Sequence, residues 1–261
     1  MVRGTGIAPL AEPTVPASSR AAIEVDHVYK TFMLPHEQRT TIKEHFLHPF
    51  RRGTVERQHA LDDVSFSVRQ GEFFGIIGPN GSGKSTLLKI LAGIYRQDSG
   101  TVRVSGKLSP FIELGVGFNP ELNARDNVLV NATLLGLTRR DLDEKFEPII
   151  AFAELDRFVD QKLKNYSSGM QLRLAFSIAI QVPFDILLLD EVLAVGDAAF
   201  QEKCFATFDE MRAAQKTIVF VSHDLGTVEH YCDRALLVQN GVVQALDKPD
   251  VVIKRYEETV G

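Results

Sequence analysis

Two kinds of apolar pattern along the chain predict two kinds of strand. Apolar and polar residues alternate over residues 23–28 and 64–68, which is typical of half-buried antiparallel strands. Residues 73–77, 186–189 and 217–221 are continuous apolar runs of the kind found in parallel strands that helices cover on both faces. The sequence therefore predicts an α/β fold with a central parallel sheet and a smaller antiparallel β subdomain.

Helical spacing of apolar residues appears between the early and the late strands. It extends over residues 126–180, where β-branched runs are few. We therefore expect a mostly helical subdomain at about residues 118–182.

A second helical pattern lies in an insert at residues 33–58. Its apolar positions fall at i, i+4, i+5 and i+8, and basic side chains are distributed around them. The apolar residues are Ile42, Phe46, Leu47 and Phe50, and the basic ones are Arg39, Lys43, Arg51, Arg52 and Arg57. This pattern predicts a short basic amphipathic helix with flexible ends.

Composition narrows the class of protein. The 261 residues are 44% hydrophobic, as expected of a folded globular chain. The net charge of −5 argues against a protein whose whole surface binds nucleic acid, because such domains are usually strongly basic. Cys204 and Cys232 lack metal-ligand spacing, so we expect reduced, packed thiols. No apolar run approaches the roughly 20 residues that span a bilayer. Residues 1–21 resemble a disordered tail, and residues 246–261 suffice for one short C-terminal helix.

A glycine-rich loop follows the strand predicted at residues 73–77 and precedes a helical run. Its residues are Gly78, Pro79, Asn80, Gly81, Ser82, Gly83, Lys84, Ser85 and Thr86. They match the pattern G-x-x-x-x-G-K-[ST] in the strand–loop–helix context of a phosphate-binding P-loop, which disfavours a chance glycine-rich turn. We expect Lys84 to contact the β- and γ-phosphates of a nucleotide, and the Ser85 hydroxyl to bind Mg²⁺.

Two acids stand at the end of a predicted buried strand. Asp190 and Glu191 directly follow the apolar residues 186–189. Either acid alone could be a solvated strand end, but together with the P-loop they predict a site for hydrolysis. Asp190 would hold Mg²⁺, directly or through water, and Glu191 would orient and deprotonate the attacking water.

The decisive motif is Tyr166-Ser167-Ser168-Gly169-Met170, which opens a predicted helix. Taken alone, it is a helix N-cap. Between the P-loop and the acid pair, it makes the chain resemble an ATP-binding-cassette (ABC) ATPase over residues 22–245, with this segment in the place of the family's Leu-Ser-Gly-Gly-Gln signature. Ser167 and Gly169 keep that pattern, whereas Ser168 and Met170 depart from it.

The resemblance implies roles for further residues. His223 after a strand is similar to the family's switch histidine, which senses the γ-phosphate and holds the catalytic acid. Asp197, at the end of Ala-Val-Gly-Asp, is similar to the D-loop that crosses the dimer interface. Phe32 stands where the family stacks an aromatic ring on adenine, with Tyr29 as the alternative. The family's Q-loop glutamine is missing, and Glu113 is the nearest polar substitute as a metal-water ligand or permease sensor.

The segment from Glu113 to Asn127 is similar to one branch of the family, the ATPase subunits that export lipid-linked polysaccharides. The resemblance implies a P-loop NTPase (RecA-like) core with a helical ABC-specific subdomain. It also implies ATP and Mg²⁺ as cofactors, a membrane-spanning permease partner at the cytoplasmic face of the membrane, and a second copy bound head to tail around two ATP molecules. Residues 246–261 are too few for the C-terminal carbohydrate-binding domain that some members carry. We therefore expect that this subunit does not itself recognise the end of the glycan.

Several alternatives stay open from the sequence. The insert at residues 33–58 could dock on or gate a permease, lie on the membrane surface, or be a solvated loop. The cargo could be an O antigen, a teichoic acid, a cell-wall galactan or another compound. A soluble ABC ATPase that acts on nucleic acid or ribosomes is disfavoured by the acidic net charge and the single cassette. A small-molecule kinase with the same P-loop is disfavoured because it would not need the signature motif.

Overall fold

The computed structural model of the chain describes residues 20–35, 55–112, 117–190 and 198–260. In chain order the strands are β1 (Ala21–Pro35), β2 (Val55–Arg69), β3 (Phe73–Ile77), β4 (Ser99–Val104), β5 (Leu108–Phe111), β6 (Ile186–Asp190), β7 (Thr217–Val221), β8 (Arg234–Gln239) and β9 (Val242–Asp247). The helices are α1 (Lys84–Leu91), α2 (Ala124–Leu134), α3 (Arg139–Ala153), α4 (Ser168–Gln181), α5 (Ala198–Ala213), α6 (Leu225–Tyr231) and α7 (Pro249–Val260). Within these ranges, no helix is both long and apolar enough to cross a membrane.

A three-stranded antiparallel sheet in the order β2-β1-β4 forms one layer. The pairs Ile23 with Val68 and Val25 with Phe66 lie in register, which confirms the antiparallel strands predicted from period-two alternation. Both strands are longer than predicted, because β1 continues to Pro35 and β2 begins at Val55. The two ends of the expected 33–58 insert are therefore paired strand, and the helix predicted between them lies outside the described residues.

A six-stranded sheet in the order β5-β6-β7-β3-β8-β9 forms the central layer. Its first five strands are parallel, as the continuous apolar runs predict, and β9 adds an antiparallel edge. Every residue of β3 is buried, and alternate side chains enter two different apolar cores. Phe74 and Ile76 face the core shared with the antiparallel sheet, whereas Phe73 and Ile77 face the core under α4, α5 and α7.

The helices α2, α3 and α4 enclose a third apolar core, in the region where a helical subdomain is expected. All three begin at a residue whose side chain caps the helix, and α2 and α3 show this most simply. The Asn123 side chain accepts a hydrogen bond from Asp126 N at the start of α2, and Thr138 and Asp141 form a reciprocal capping box at the start of α3. Both cysteines are buried free thiols, and burial raises the pKa of Cys204 to about 12.

The turn between β8 and β9 supports the glycine-rich loop that follows β3. Asn240 and Gly241 both have positive φ angles, 51° and 77°, as in a two-residue hairpin turn. Gly241 N donates a hydrogen bond to Ser82 O at 2.9 Å, and Gly241 O accepts one from Asp62 N at 2.9 Å. A Cβ atom on Gly241 would lie 2.8 Å from Ala60 O. Only glycine therefore allows the turn to lie between the loop and β2.

The stacked rings of Phe66 and Phe74, with centroids 5.5 Å apart, join the two sheets. Because Phe74 is completely buried, we expect Phe74→Ala to lower the free energy of unfolding by about 3–5 kcal/mol in urea denaturation. Met33 is 65% exposed, so Met33→Ala serves as the control and should change stability by less than about 0.5 kcal/mol. Equal, small losses for the two variants would contradict a shared core.

Gly241→Ala should weaken the ATP binding that the sequence resemblance implies by about ten-fold, because the new Cβ atom would push the turn away from Ser82 O. Gly136→Ala is the matched control, since Gly136 also has a positive φ angle of 97° but open space at the Cβ position. Both variants should lose stability, and only Gly241→Ala should lose affinity for a fluorescent ATP analogue. Equal affinity for the two variants would show that the turn does not support the loop.

Candidate nucleotide site

Three neighbouring strands end at the same edge of the central sheet. Asp190 at the end of β6 lies opposite Val221 at the end of β7, and Val221 lies opposite Ile76 in β3. Gly78 directly follows β3, and His223 follows β7 by two residues. The sheet therefore brings the glycine-rich loop, the acid and the histidine to one edge, where ligands bind in open α/β sheets.

The backbone of the glycine-rich loop passes very close to two other segments. A Cβ atom on Gly78, whose φ angle is 148°, would lie 2.0 Å from Val238 O. A Cβ atom on Gly83, whose φ angle is 108°, would lie 2.4 Å from Ala60 O. The loop thus requires glycine at both positions. It leads directly into α1, where no described side chain caps the first N–H groups, and such groups can bind an anion.

Lys84 begins α1 at the end of this loop, and its ammonium group turns back onto the loop. Its side chain is only 4% exposed, and Nζ donates hydrogen bonds to Gly78 O at 2.8 Å and Pro79 O at 2.9 Å. These carbonyl contacts hold a positive charge inside the curve of the loop. An ammonium group in that position is suited to phosphate oxygens.

A cavity of about 240 Å³ opens beside the loop. It is lined by Phe32, Gln58, Ala60, Asn80, Gly81, Gly83, Lys84, Ser85 and Thr86. Phe32 forms one wall, held edge-on against Tyr95 with centroids 5.5 Å apart. Tyr29, the alternative from the sequence, is not among the lining residues. The cavity therefore has an aromatic ring on one side and the phosphate loop on the other. One nucleotide could place its adenine against the ring and its phosphates in the loop.

The polar groups near the loop fit a triphosphate with Mg²⁺. The Ser82 hydroxyl is buried, and no described residue forms a hydrogen bond with it, which is rare unless a ligand completes the site. Ser85 supplies a hydroxyl and Asp190 a carboxylate, the oxygen ligands that Mg²⁺ prefers. Glu113, Glu191 and Asp197 lie outside the described residues, so their predicted roles stay predictions.

His223 stands between β7 and α6. The next residue, Asp224, caps α6 by accepting hydrogen bonds from Gly226 N at 3.0 Å and from Thr227 Oγ1 at 2.5 Å. The hydrogen bond from Thr227 lowers the pKa of Asp224, so this carboxylate stays charged. The cap fixes the backbone beside His223, whose side chain is exposed at the carboxyl edge.

The signature segment begins α4, in the helical part of the chain. Ser167 is the N-cap, and its Oγ accepts a hydrogen bond from Met170 N at 3.2 Å, which leaves the hydroxyl hydrogen able to donate. Tyr166 OH donates to Phe158 O at 2.7 Å, and burial raises the pKa of Tyr166 to about 12. Ser167 and Ser168 are exposed, Gly169 is half-buried, and none of them lines the nucleotide cavity of its own chain.

The turn at Gly241 supports the phosphate loop, although the motifs alone did not predict this role. The Asn-Gly dipeptide between two apolar segments is a visible hairpin signal. Its hydrogen bond to Ser82 O depends on the sheet order, which places β8 beside β3.

Comparisons with known proteins agree with this geometry. The sequence profile described as ABC transporter matches residues 61–194. The chain is 42% identical over 241 residues to the O-antigen export system ATP-binding protein RfbB of Klebsiella pneumoniae, covering 91% of this chain and 98% of the relative. It is 40% identical over 236 residues to the teichoic acids export ATP-binding protein TagH of Levilactobacillus brevis, covering 90% and 64%.

The fold is similar to that of the ATP-binding cassette MJ0796, solved as a dimer in a post-hydrolysis state bound to ADP and Pi. The TM-score is 0.71 at 23% identity, over 87% of this chain and 98% of the other. This likeness confirms the predicted P-loop NTPase fold. The profile match spans the phosphate loop, the signature and β6, and the relatives match nearly the whole chain. On these grounds the chain belongs to the ABC transporter family.

Proposed function

We propose that the chain is the ATP-hydrolysing subunit of an exporter that moves a lipid-linked polysaccharide across the cytoplasmic membrane. The phosphate loop, with its buried Lys84 and adjoining aromatic cavity, carries the nucleotide part of this proposal. The cargo part rests on relatives named for the export of O antigen and teichoic acids. An O antigen, a teichoic acid or a cell-wall galactan would fit it.

Binding of ATP follows from the charge and shape of the cavity. Phe32 would stack on the adenine ring, and the N–H groups of residues 78–86 would surround the phosphates. Lys84 would exchange its contacts with Gly78 O and Pro79 O for phosphate oxygens, which are stronger acceptors for an ammonium group. Ser85 and Asp190 would hold Mg²⁺, with Glu113 as a third candidate ligand.

Hydrolysis would be completed by residues at the carboxyl edge of β6 and β7. Bound Mg²⁺ would supply charge neutralisation on the phosphates. Glu191 would accept the proton of the attacking water. His223 would contact the γ-phosphate and hold Glu191 in position. Because this chemistry consists mainly of positioning and charge stabilisation, small displacements of these groups should strongly lower the rate.

A second copy of the chain would complete the site. Ser167, Ser168 and Gly169 lie at the exposed start of α4, where the helix N-terminus favours negative charge. In a head-to-tail dimer they would reach the γ-phosphate bound by the other copy, and Asp197 would cross the interface. Loss of the γ-phosphate would then remove the bridge between copies, and the dimer would open.

The permease would contact an apolar groove between the core and the helical part. The groove has a volume of about 310 Å³ and is lined mainly by Ile94, Pro110, Phe111, Ile112, Phe118, Leu134, Leu135 and Ile178. Leu134 at the end of α2 is 73% exposed. An open apolar groove in which Ile94 and Leu134 are largely exposed is typical of an interaction site. Through it the subunit would be held at the cytoplasmic face of the membrane.

Glu191→Gln should lower the rate of phosphate release by about 10²–10⁴-fold while ATP still binds, because only the general base is removed. Lys84→Ala should instead weaken ATP binding and remove about 3–4 kcal/mol of transition-state stabilisation. Phosphate release and equilibrium binding of ATP separate the two effects.

Glu257→Gln is the control for these substitutions, since Glu257 is exposed on α7, away from the site. It should leave both measurements unchanged. Near-normal phosphate release by Glu191→Gln would refute the assignment of the base.

An affinity-tagged Glu191→Gln chain, purified with Mg-ATP from membranes of its native host, should carry a multi-span permease in equal amount. Adding Leu134→Glu should remove most of the permease, because a carboxylate cannot be buried unpaired in an apolar interface. Val251→Glu makes the same change at a 48% exposed site on α7 and should retain the permease. Recovery of ribosomes or DNA in place of a permease would overturn the transport function.

A further inference from the structure

The chain just before the signature serine is held by a neighbouring loop. Leu163 N donates a hydrogen bond to Leu122 O at 2.9 Å, and Lys164 N donates to Pro120 O at 2.9 Å. Asn123 and Lys162 form an isolated antiparallel bridge. The segment 162–166 thus depends on the segment 119–123 for its position, and Ser167 follows directly.

The loop at residues 119–123 is in turn organised by one buried side chain. Asn127 in α2 is 0% exposed. Its Oδ1 accepts a hydrogen bond from Asn119 N at 2.7 Å. Its Nδ2 lies 3.0 Å from Asn119 O, 3.2 Å from Leu122 O and 2.8 Å from Asn123 O. The amide group therefore donates both of its hydrogens to this loop, one of them shared between two carbonyl groups.

Both backbone polar groups of Leu163 form hydrogen bonds with other segments. Its N–H group is bound to Leu122 O, and its carbonyl accepts a hydrogen bond from Gln171 Nε2 at 3.2 Å. Gln171 also donates to Tyr166 O at 3.4 Å. Two side chains therefore hold Leu163 ahead of the signature: Asn127, which acts through Leu122 O, and Gln171 in α4, which donates to Leu163 O. We call this pair the clamp.

We propose that Asn127 is a positioning residue for the signature: its carboxamide fixes the loop 119–123, which fixes Leu163 and Lys164, and thereby aims Ser167 at the nucleotide of a second copy. The inference rests on the proposed function, because it takes Ser167 as the group that meets that nucleotide. Asn127 itself contacts neither the nucleotide cavity nor Ser167.

The test uses Asn127→Asp in the full-length chain with Glu191→Gln, so that ATP is not consumed. The carboxylate has the same shape and still accepts from Asn119 N, but it cannot donate to the three carbonyl groups. We expect the dissociation constant of the ATP-dependent dimer, from sedimentation velocity, to rise at least about ten-fold. The ATP affinity of a single chain should stay within about two-fold, because the phosphate loop is unchanged.

Asn131→Asp is the matched control. It makes the same change one turn further along α2, where the amide donates to Gly117 O at 3.2 Å and Asn127 O at 2.9 Å and not to residues 119–123. We expect similar loss of thermal stability from both variants, with the dimer constant of Asn131→Asp changing by less than about three-fold. Losses of dimerisation in proportion to stability for both variants would mean a merely structural role and would overturn the proposal.

A gentler variant covers the case in which Asn127→Asp does not fold. In Asn127→Ser the hydroxyl can still reach Asn123 O, four residues earlier, as Thr133 reaches Leu129 O, but it cannot reach Asn119 or Leu122. The dimer constant should again rise, by at least about three-fold. No rise in this folded variant would overturn the proposal.

A double-mutant cycle with Ser167→Ala shows whether Asn127 acts through the signature. Ser167→Ala should itself weaken the dimer, and adding Asn127→Asp should change it by no more than about two-fold further. Full additivity would overturn the positioning role while leaving the proposed function intact. If Ser167→Ala alone leaves the dimer unchanged, the signature role in the proposed function fails, and the positioning role fails with it.

Discussion

The nucleotide site depends on the close approach of the glycine-rich loop to two other segments of backbone. Gly78 lies against Val238 O and Gly83 against Ala60 O, at distances that leave no room for a Cβ atom. The loop is therefore wedged between β8 of the central sheet and β2 of the antiparallel sheet. Because carbonyl oxygens on both sides are fixed in strands, the loop cannot relax without disturbing a sheet. This rigidity gives a buried Lys84 one well-defined position.

The sequence was sufficient for the features that local pattern determines. The burial of β3 and β7 follows from their continuous apolar residues, and the phosphate loop follows from its motif and flanking elements. The full length of β1 was missed because the pairing with β2 shifts register between Val25 and Thr31, which breaks the alternation. The antiparallel edge strand β9 was missed for a different reason: its residues are half-buried or exposed, so the apolar signal is weak.

The supporting residues were beyond sequence reasoning for two different reasons. Gly241 reaches Ser82 only because the sheet order places β8 beside β3. Asn127 is one of several asparagines in a polar stretch, and nothing in the sequence distinguishes it from an exposed one. Its partners are only four to eight residues earlier in the chain, but its burial follows from the packing of α2 on α3 and α4. Candidate site residues are thus predictable from motifs, whereas the side chains that hold them are determined by tertiary packing.

In the proposed function, the position of α2 connects a membrane partner to the nucleotide site. Leu134, at the groove, and Asn127, at the clamp, are seven residues apart, which is about two helical turns and about 10 Å along one rigid helix. Asn131 lies between them on the same helix and lines the groove. A permease that displaced Leu134 would move Asn127 by a similar amount, because a hydrogen-bonded helix of this length transmits a push with little bending. The loop 119–123 and then Ser167 would follow, so the same helix that receives the partner would also set the approach of the signature to ATP.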